Sequence, residues 1–133
     1  MLMIILLVLA LFVLQTLLPA SFRYLRGPDV GQKLAKALGP RDDPPPQSVA
    51  GGRAERALAN LQEAIPVFLG LGLLDLIVVP DAPLATTGAT VFLIARVLYV
   101  PAYLAGIMGL RTLIWMASLV GLVLMLLPLL DRL

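Results

Sequence analysis

The sequence predicts an all-α membrane protein built as a four-helix up-and-down bundle. Three observations predict it: a composition too apolar for a small soluble domain, four apolar runs of membrane-crossing length, and a single long polar connection at 26–52. The chain has 133 residues, 60% of them hydrophobic and 14% charged, with a mean hydropathy of +0.98. A soluble domain is about 45–50% apolar and about 25% charged. A chain this short leaves much of its surface in contact with solvent, so the excess apolar residues need lipid as that solvent. The same counts exclude whole classes of chemistry. With no Cys there is no disulfide, thiol nucleophile or thiolate metal site, and with no His there is no Ser-His-Asp triad or imidazole zinc site. A formal net charge of +2 is too small to argue for nucleic acid as a partner, and none is expected.

The first apolar run is Leu2 to Leu18, interrupted only by Gln15 and Thr16. Its length suits one crossing, which needs roughly 20 apolar residues. A cleaved signal peptide would carry a positive n-region and an Ala-x-Ala-like site. No Lys or Arg precedes Arg23, so an uncleaved helix over about 2–25 is expected. Residues 26–52 then change character. Gly27-Pro28, Gly39-Pro40, Pro44-Pro45-Pro46 and Gly51-Gly52 break helices. They make this segment a flexible connection, with a short helix at Val30–Leu38 as the structured alternative.

The second run begins near Ala64 and ends at Val79, with its helix expected over about 53–79. Pro80-Asp81-Ala82-Pro83 forms a tight turn, because proline fixes φ and lacks a donor. The third and fourth helices are expected over about 84–106 and 112–131. Short links favour antiparallel neighbours, and no repeat divides the chain, so 1–133 reads as one domain. Basic residues set the orientation. Arg23, Arg26, Lys33, Lys36, Arg41, Arg53 and Arg56 flank or occupy the long connection, and Arg111 lies in the link between the third and fourth spans. The positive-inside rule puts these segments in the cytoplasm and both termini outside.

Charges at membrane depth require partners. Arg53, Arg56, Asn60 and Glu63 recur at steps of three, four and three. At 100° per residue they share an arc of about 80°. Snorkelling to the headgroups accounts for Arg53 and Arg56, whereas Asn60 and Glu63 lie deeper and imply a buried network. Arg96, Tyr99, Tyr103 and Gly106 repeat the same spacing on the third span. Tyr103 suits an aromatic belt, but Arg96 sits well inside the run. Antiparallel second and third spans can bring Glu63 and Arg96 together, so a structural ion pair is expected. Arg111 reads as a topology charge, or as a cation closing the third helix. Asp75, a few residues from the outer turn, reads as exposed to the interface or paired across subunits. Gly70-Leu71-Gly72 suggests close helix packing. No phosphate loop or metal-ligand spacing occurs in the chain.

These stripes resemble the MAPEG family, the membrane-associated proteins in eicosanoid and glutathione metabolism, and its prokaryotic-type members in particular. The first matching segment is Arg53-Ala-Glu-Arg56-Ala-Leu-Ala-Asn60-Leu-Gln-Glu63-Ala-Ile-Pro66-Val-Phe68-Leu69. The second is Ala95-Arg96-Val-Leu-Tyr99-Val-Pro-Ala-Tyr103, followed by Leu110-Arg111-Thr112. Pro66 also fits physically, since a proline kinks its helix and frees a carbonyl one turn back. Ala64 stands where many eukaryotic catalytic members carry an aromatic residue.

The resemblance implies a homotrimer in a bacterial inner membrane, with glutathione as cofactor in a crevice between subunits. It implies that Arg53, Arg56, Asn60 and Glu63 line that crevice, that Tyr99 and Tyr103 complete it, and that Arg111 is catalytic by holding the thiolate. A fixed cation lowers a thiol's pKa, and the thiolate is the nucleophile. The implied activity is glutathione transferase or peroxidase chemistry on a lipophilic small molecule. The alternatives are a non-catalytic lipid-binding or scaffold member, and a small transporter using Glu63 and Arg96 as a coupling pair.

Overall fold

The computed structural model describes residues 1–40, 42 and 44–133; Arg41, counted above among the loop cations, lies outside the described residues. The helices are α1 (Leu2–Tyr24), α2 (Val30–Leu38), α3 (Val49–Val78), α4 (Pro83–Ala105) and α5 (Leu110–Leu130). All but α2 are long and apolar enough to cross a membrane. The chain is a multi-pass integral membrane protein.

Local chemistry explains the boundaries. Within α1 the Thr16 and Ser21 hydroxyls donate to the carbonyls of Val13 and Leu18 at 2.6 and 2.8 Å, which hides their polarity from lipid. Gly27, at φ 81, turns the chain out of the helix. Ser48 caps α3 by accepting from the Gly51 amide at 3.1 Å. In the turn to α4, the Ala82 amide donates to Val79, and Pro83 opens the helix where its missing N–H costs nothing. α4 ends at left-handed Gly106, φ 73.

Helices in lipid associate through close packing rather than burial from water, so small residues mark the contacts. α4 packs most extensively on α5. At their crossing a Cβ on Gly88 would lie 2.5 Å from the Gly121 carbonyl oxygen, and one on Gly121 would lie 2.7 Å from the Gly88 oxygen. The centre of the bundle is a stack of Phe68 on Phe92, ring centroids 4.5 Å apart and 13° from parallel, enclosed by Ile5, Val8, Leu122 and Met125. Of the glycines expected to pack closely, Gly72 does, against Ile5 and Met125, whereas Gly70 meets nothing.

Asp75 is not at the interface as expected. It is 1% exposed, with both carboxylate oxygens lacking a hydrogen-bond partner among the described residues. The reason is angular. Phe68, Gly72 and Asp75 follow at steps of four and three on the face of α3 that turns inward.

Candidate functional site

At the end of the bundle carrying the long connection, α3, α4 and the start of α5 bring polar side chains together. α4 buries Arg96 and Tyr99 on one face. Arg96 is 2% exposed, and its Nη1 donates to Asn60 Oδ1 on α3 at 2.6 Å. Its Cζ lies 5.1 Å from the Phe92 ring centre and 5.8 Å from that of Tyr99, both cation–π distances. Nε and Nη2 have no hydrogen-bond partner among the described residues. Asn60 therefore carries the only directional contact found for this cation there.

The ion pair expected between Glu63 and Arg96 is not formed within the chain. Glu63 is exposed, while Asn60 stands at the level and on the side that Arg96 faces. Three residues further along α3, Glu63 is offset from Asn60 by about 60° around the axis and about 4.5 Å along it, enough to carry it past the Arg96 guanidinium. The ion pair among the described residues joins Arg23 of α1 to Glu55 of α3 at 2.7 Å. Gln47 supports it by donating to Glu55 at 2.9 Å and to the Pro19 carbonyl at 3.3 Å. Nothing in the spacing of Arg23 and Glu55 signals this pair.

Arg53 reaches from α3 to the end of α4. Its Nη1 donates to the Leu104 carbonyl at 2.7 Å, and its guanidinium covers Gly106, where a Cβ would lie 2.6 Å away. A cation thus satisfies an orphan carbonyl at the C-terminus of α4 and complements the helix dipole. Arg56 is exposed on the chain's surface, as is Glu63.

The remaining predicted residues do converge. Asn60, Tyr99, Tyr103 and Arg111, with Thr112 and Trp115, line a cleft of about 240 Å³. The Tyr99 and Tyr103 rings stand 5.4 Å apart, tilted by 54°, and the Arg111 Cζ lies 5.3 Å from the Tyr103 ring centre. Arg111 belongs to the first turn of α5 and does not close the third span as a C-terminal cation. Gly109 and its positive φ separate the two helices. That turn has no side-chain cap, so its free amides and the positive end of the helix dipole reinforce the Arg111 charge. Thr112 and Trp115 were not singled out from the sequence as cleft residues. They lie one and four positions beyond Arg111, so the helical face of Arg111 was the signal for Trp115. Among the described residues no cluster of His, Cys, Asp and Glu could hold a metal ion.

The cleft combines a permanent cation in the first turn of a helix, two phenols and a carboxamide. It suits an anion or thiolate. A family model, described as the MAPEG family, matches residues 1–130 of this chain. No curated protein and no solved structure matches it.

Proposed function

The chain belongs to the MAPEG family, and from that premise we propose that it binds glutathione and uses the thiol to conjugate or reduce lipophilic electrophiles. The observation that carries this reading is Arg111, which sits in the first turn of α5 and faces Tyr103 in the cleft with Tyr99 and Asn60. The chain has no cysteine, so the nucleophilic sulfur comes from the bound thiol. Arg111 and the α5 amides stabilise the thiolate, which lowers the thiol's pKa. The thiol proton passes to water, the thiolate lone pair then forms a bond to the electrophilic carbon, and the leaving group departs with its bonding electrons. Electrophiles dissolved in the bilayer reach the cleft laterally.

Exposed Arg56 and Glu63 support a homotrimer. Charges on a spanning helix favour a protein neighbour over lipid, and a second copy on this face would add them to the rim of the cleft. The cations at 23–56 and Arg111 support a cytoplasmic position for this end of the bundle, with both termini periplasmic.

Trp115 is the only tryptophan and lines the cleft. Titrating detergent-solubilised protein with glutathione should therefore change its fluorescence saturably, and a chloronitrobenzene electrophile should be conjugated with glutathione. Arg111→Ala should abolish conjugation. Saturable binding without conjugation in the wild type would leave a binding protein rather than an enzyme. Absence of binding would overturn the proposal, and an Arg111→Ala variant that conjugates at the wild-type rate would remove Arg111 from the chemistry.

A further inference from the structure

Among the described residues, α2 is the one helix that buries none of its residues. It is nonetheless strongly two-sided. Val30, Leu34, Ala37 and Leu38 fall within an arc of about 100°, with Lys33 beside one edge of it and Lys36 and Gln32 on the opposite, polar side. Leu38 is 85% exposed and Leu34 44%. A surface helix keeps an apolar face only where something apolar covers it.

Beneath α2 runs a groove of about 380 Å³, lined by Leu17, Ala20, Tyr24 and Leu25 of the α1 end and by Leu34 and Ala37 of α2. Ser21 also borders it, but its hydroxyl is turned to the Leu18 carbonyl. From Leu17 to Tyr24 the groove follows α1 for about 10 Å, so it begins within the span and opens at its end. Two cations stand beside that opening, outside the groove's own lining. Lys33 Nζ donates to the Arg26 carbonyl at 3.0 Å, and the Arg26 guanidinium lies 4.2 Å from the Phe22 ring centre. These contacts hold two cations at the level where α1 leaves the bilayer. Across residues 26–38 the charges are Arg26, Lys33 and Lys36 against Asp29.

An apolar slot running into the membrane beneath a cationic rim is complementary to a molecule with an apolar tail and an anionic head. We infer that α2 lies in the interface of the leaflet at this end, and that the groove and the Arg26–Lys33 rim bind an acidic phospholipid of the surrounding bilayer, acyl chain in the groove and phosphate at the rim. Leu34 and Leu38 dip among the acyl chains and anchor the helix, and Gln32 on the opposite side stays in water. The site is separate from the Arg111 cleft and does not depend on the activity proposed there.

The absence of native cysteine makes the test direct. Single-cysteine variants Leu34→Cys, Leu38→Cys and Gln32→Cys of the full chain are spin-labelled and reconstituted in phosphatidylcholine vesicles with or without phosphatidylglycerol. Labels at 34 and 38 should relax with oxygen and be shielded from an aqueous nickel complex, and the label at 32 should do the reverse. Protein extracted from mixed vesicles should retain phosphatidylglycerol over phosphatidylcholine, measured by native mass spectrometry. Lys33→Gln with Arg26→Gln should reduce that preference by about fivefold per charge removed, as expected for a basic residue at an anionic surface. The bilayer depths of labels 34 and 38 in pure phosphatidylcholine should survive that double change. Three results would overturn the inference: all three labels equally aqueous, labels at 34 and 38 shielded from both relaxants as in a protein–protein contact, or no lipid preference in the wild type.

Discussion

Gly106→Ala tests how the α4–α5 corner is held. Two costs are expected. The residue sits at φ 73, where an L side chain costs roughly 1–2 kcal/mol. The new Cβ would also lie 2.6 Å from Arg53 Nη2 and 2.8 Å from Nη1, so the guanidinium must leave its 2.7 Å bond to the Leu104 carbonyl. A hydrogen bond to a charged group contributes about 1.5–3 kcal/mol when buried. Arg53 is half-exposed, which reduces this to about 1–1.5 kcal/mol. The sum is about 2–3.5 kcal/mol. Unfolding in mixed micelles by dodecyl sulfate titration, followed by Trp115 fluorescence, reads it. The decisive comparison is the cycle with Arg53→Met, which keeps the apolar stem and removes the donor. In that background Gly106→Ala should retain only the backbone cost, a coupling of about 1–1.5 kcal/mol. An equal penalty in both backgrounds would refute the contact between Arg53 and this turn.

The same titration checks three further expectations. Gly88→Ala should destabilise by about 1–3 kcal/mol or prevent folding, because its Cβ meets backbone of α5 that cannot yield; Gly70→Ala, which meets nothing within 4 Å, should be neutral or stabilising. Asn60→Ala should cost about 2–3 kcal/mol or more, since it strands the buried Arg96 cation, and a smaller loss would show that Arg96 has another strong acceptor. Asp75→Asn should leave stability unchanged or raise it, because no donor among the described residues faces either carboxylate oxygen; a loss above about 1 kcal/mol would reveal a hydrogen bond to the charged group.

The all-helical class and the four spans were legible because lipid leaves a crossing segment no other way to satisfy its backbone. Apolar runs of sufficient length therefore declare themselves one at a time. The spacing of Asn60, Tyr99 and Tyr103 on helical faces was legible for the same local reason, and the cleft gathers those residues with Arg111. The direction in which each face points was not. In water a helix must turn its apolar side inward, but here bundle and bilayer are equally apolar, so hydropathy does not set the rotation. Packing does. The Gly88–Gly121 crossing and the Phe68–Phe92 stack set how α3, α4 and α5 face one another. That rotation sends Arg53 to the end of α4, Asn60 to Arg96, Glu63 outward and Asp75 inward. Apolar run length and helical spacing settle what crosses the membrane and which residues share a helix face. Which partner each face meets follows from packing, because contacts between helices of similar polarity are selected by shape.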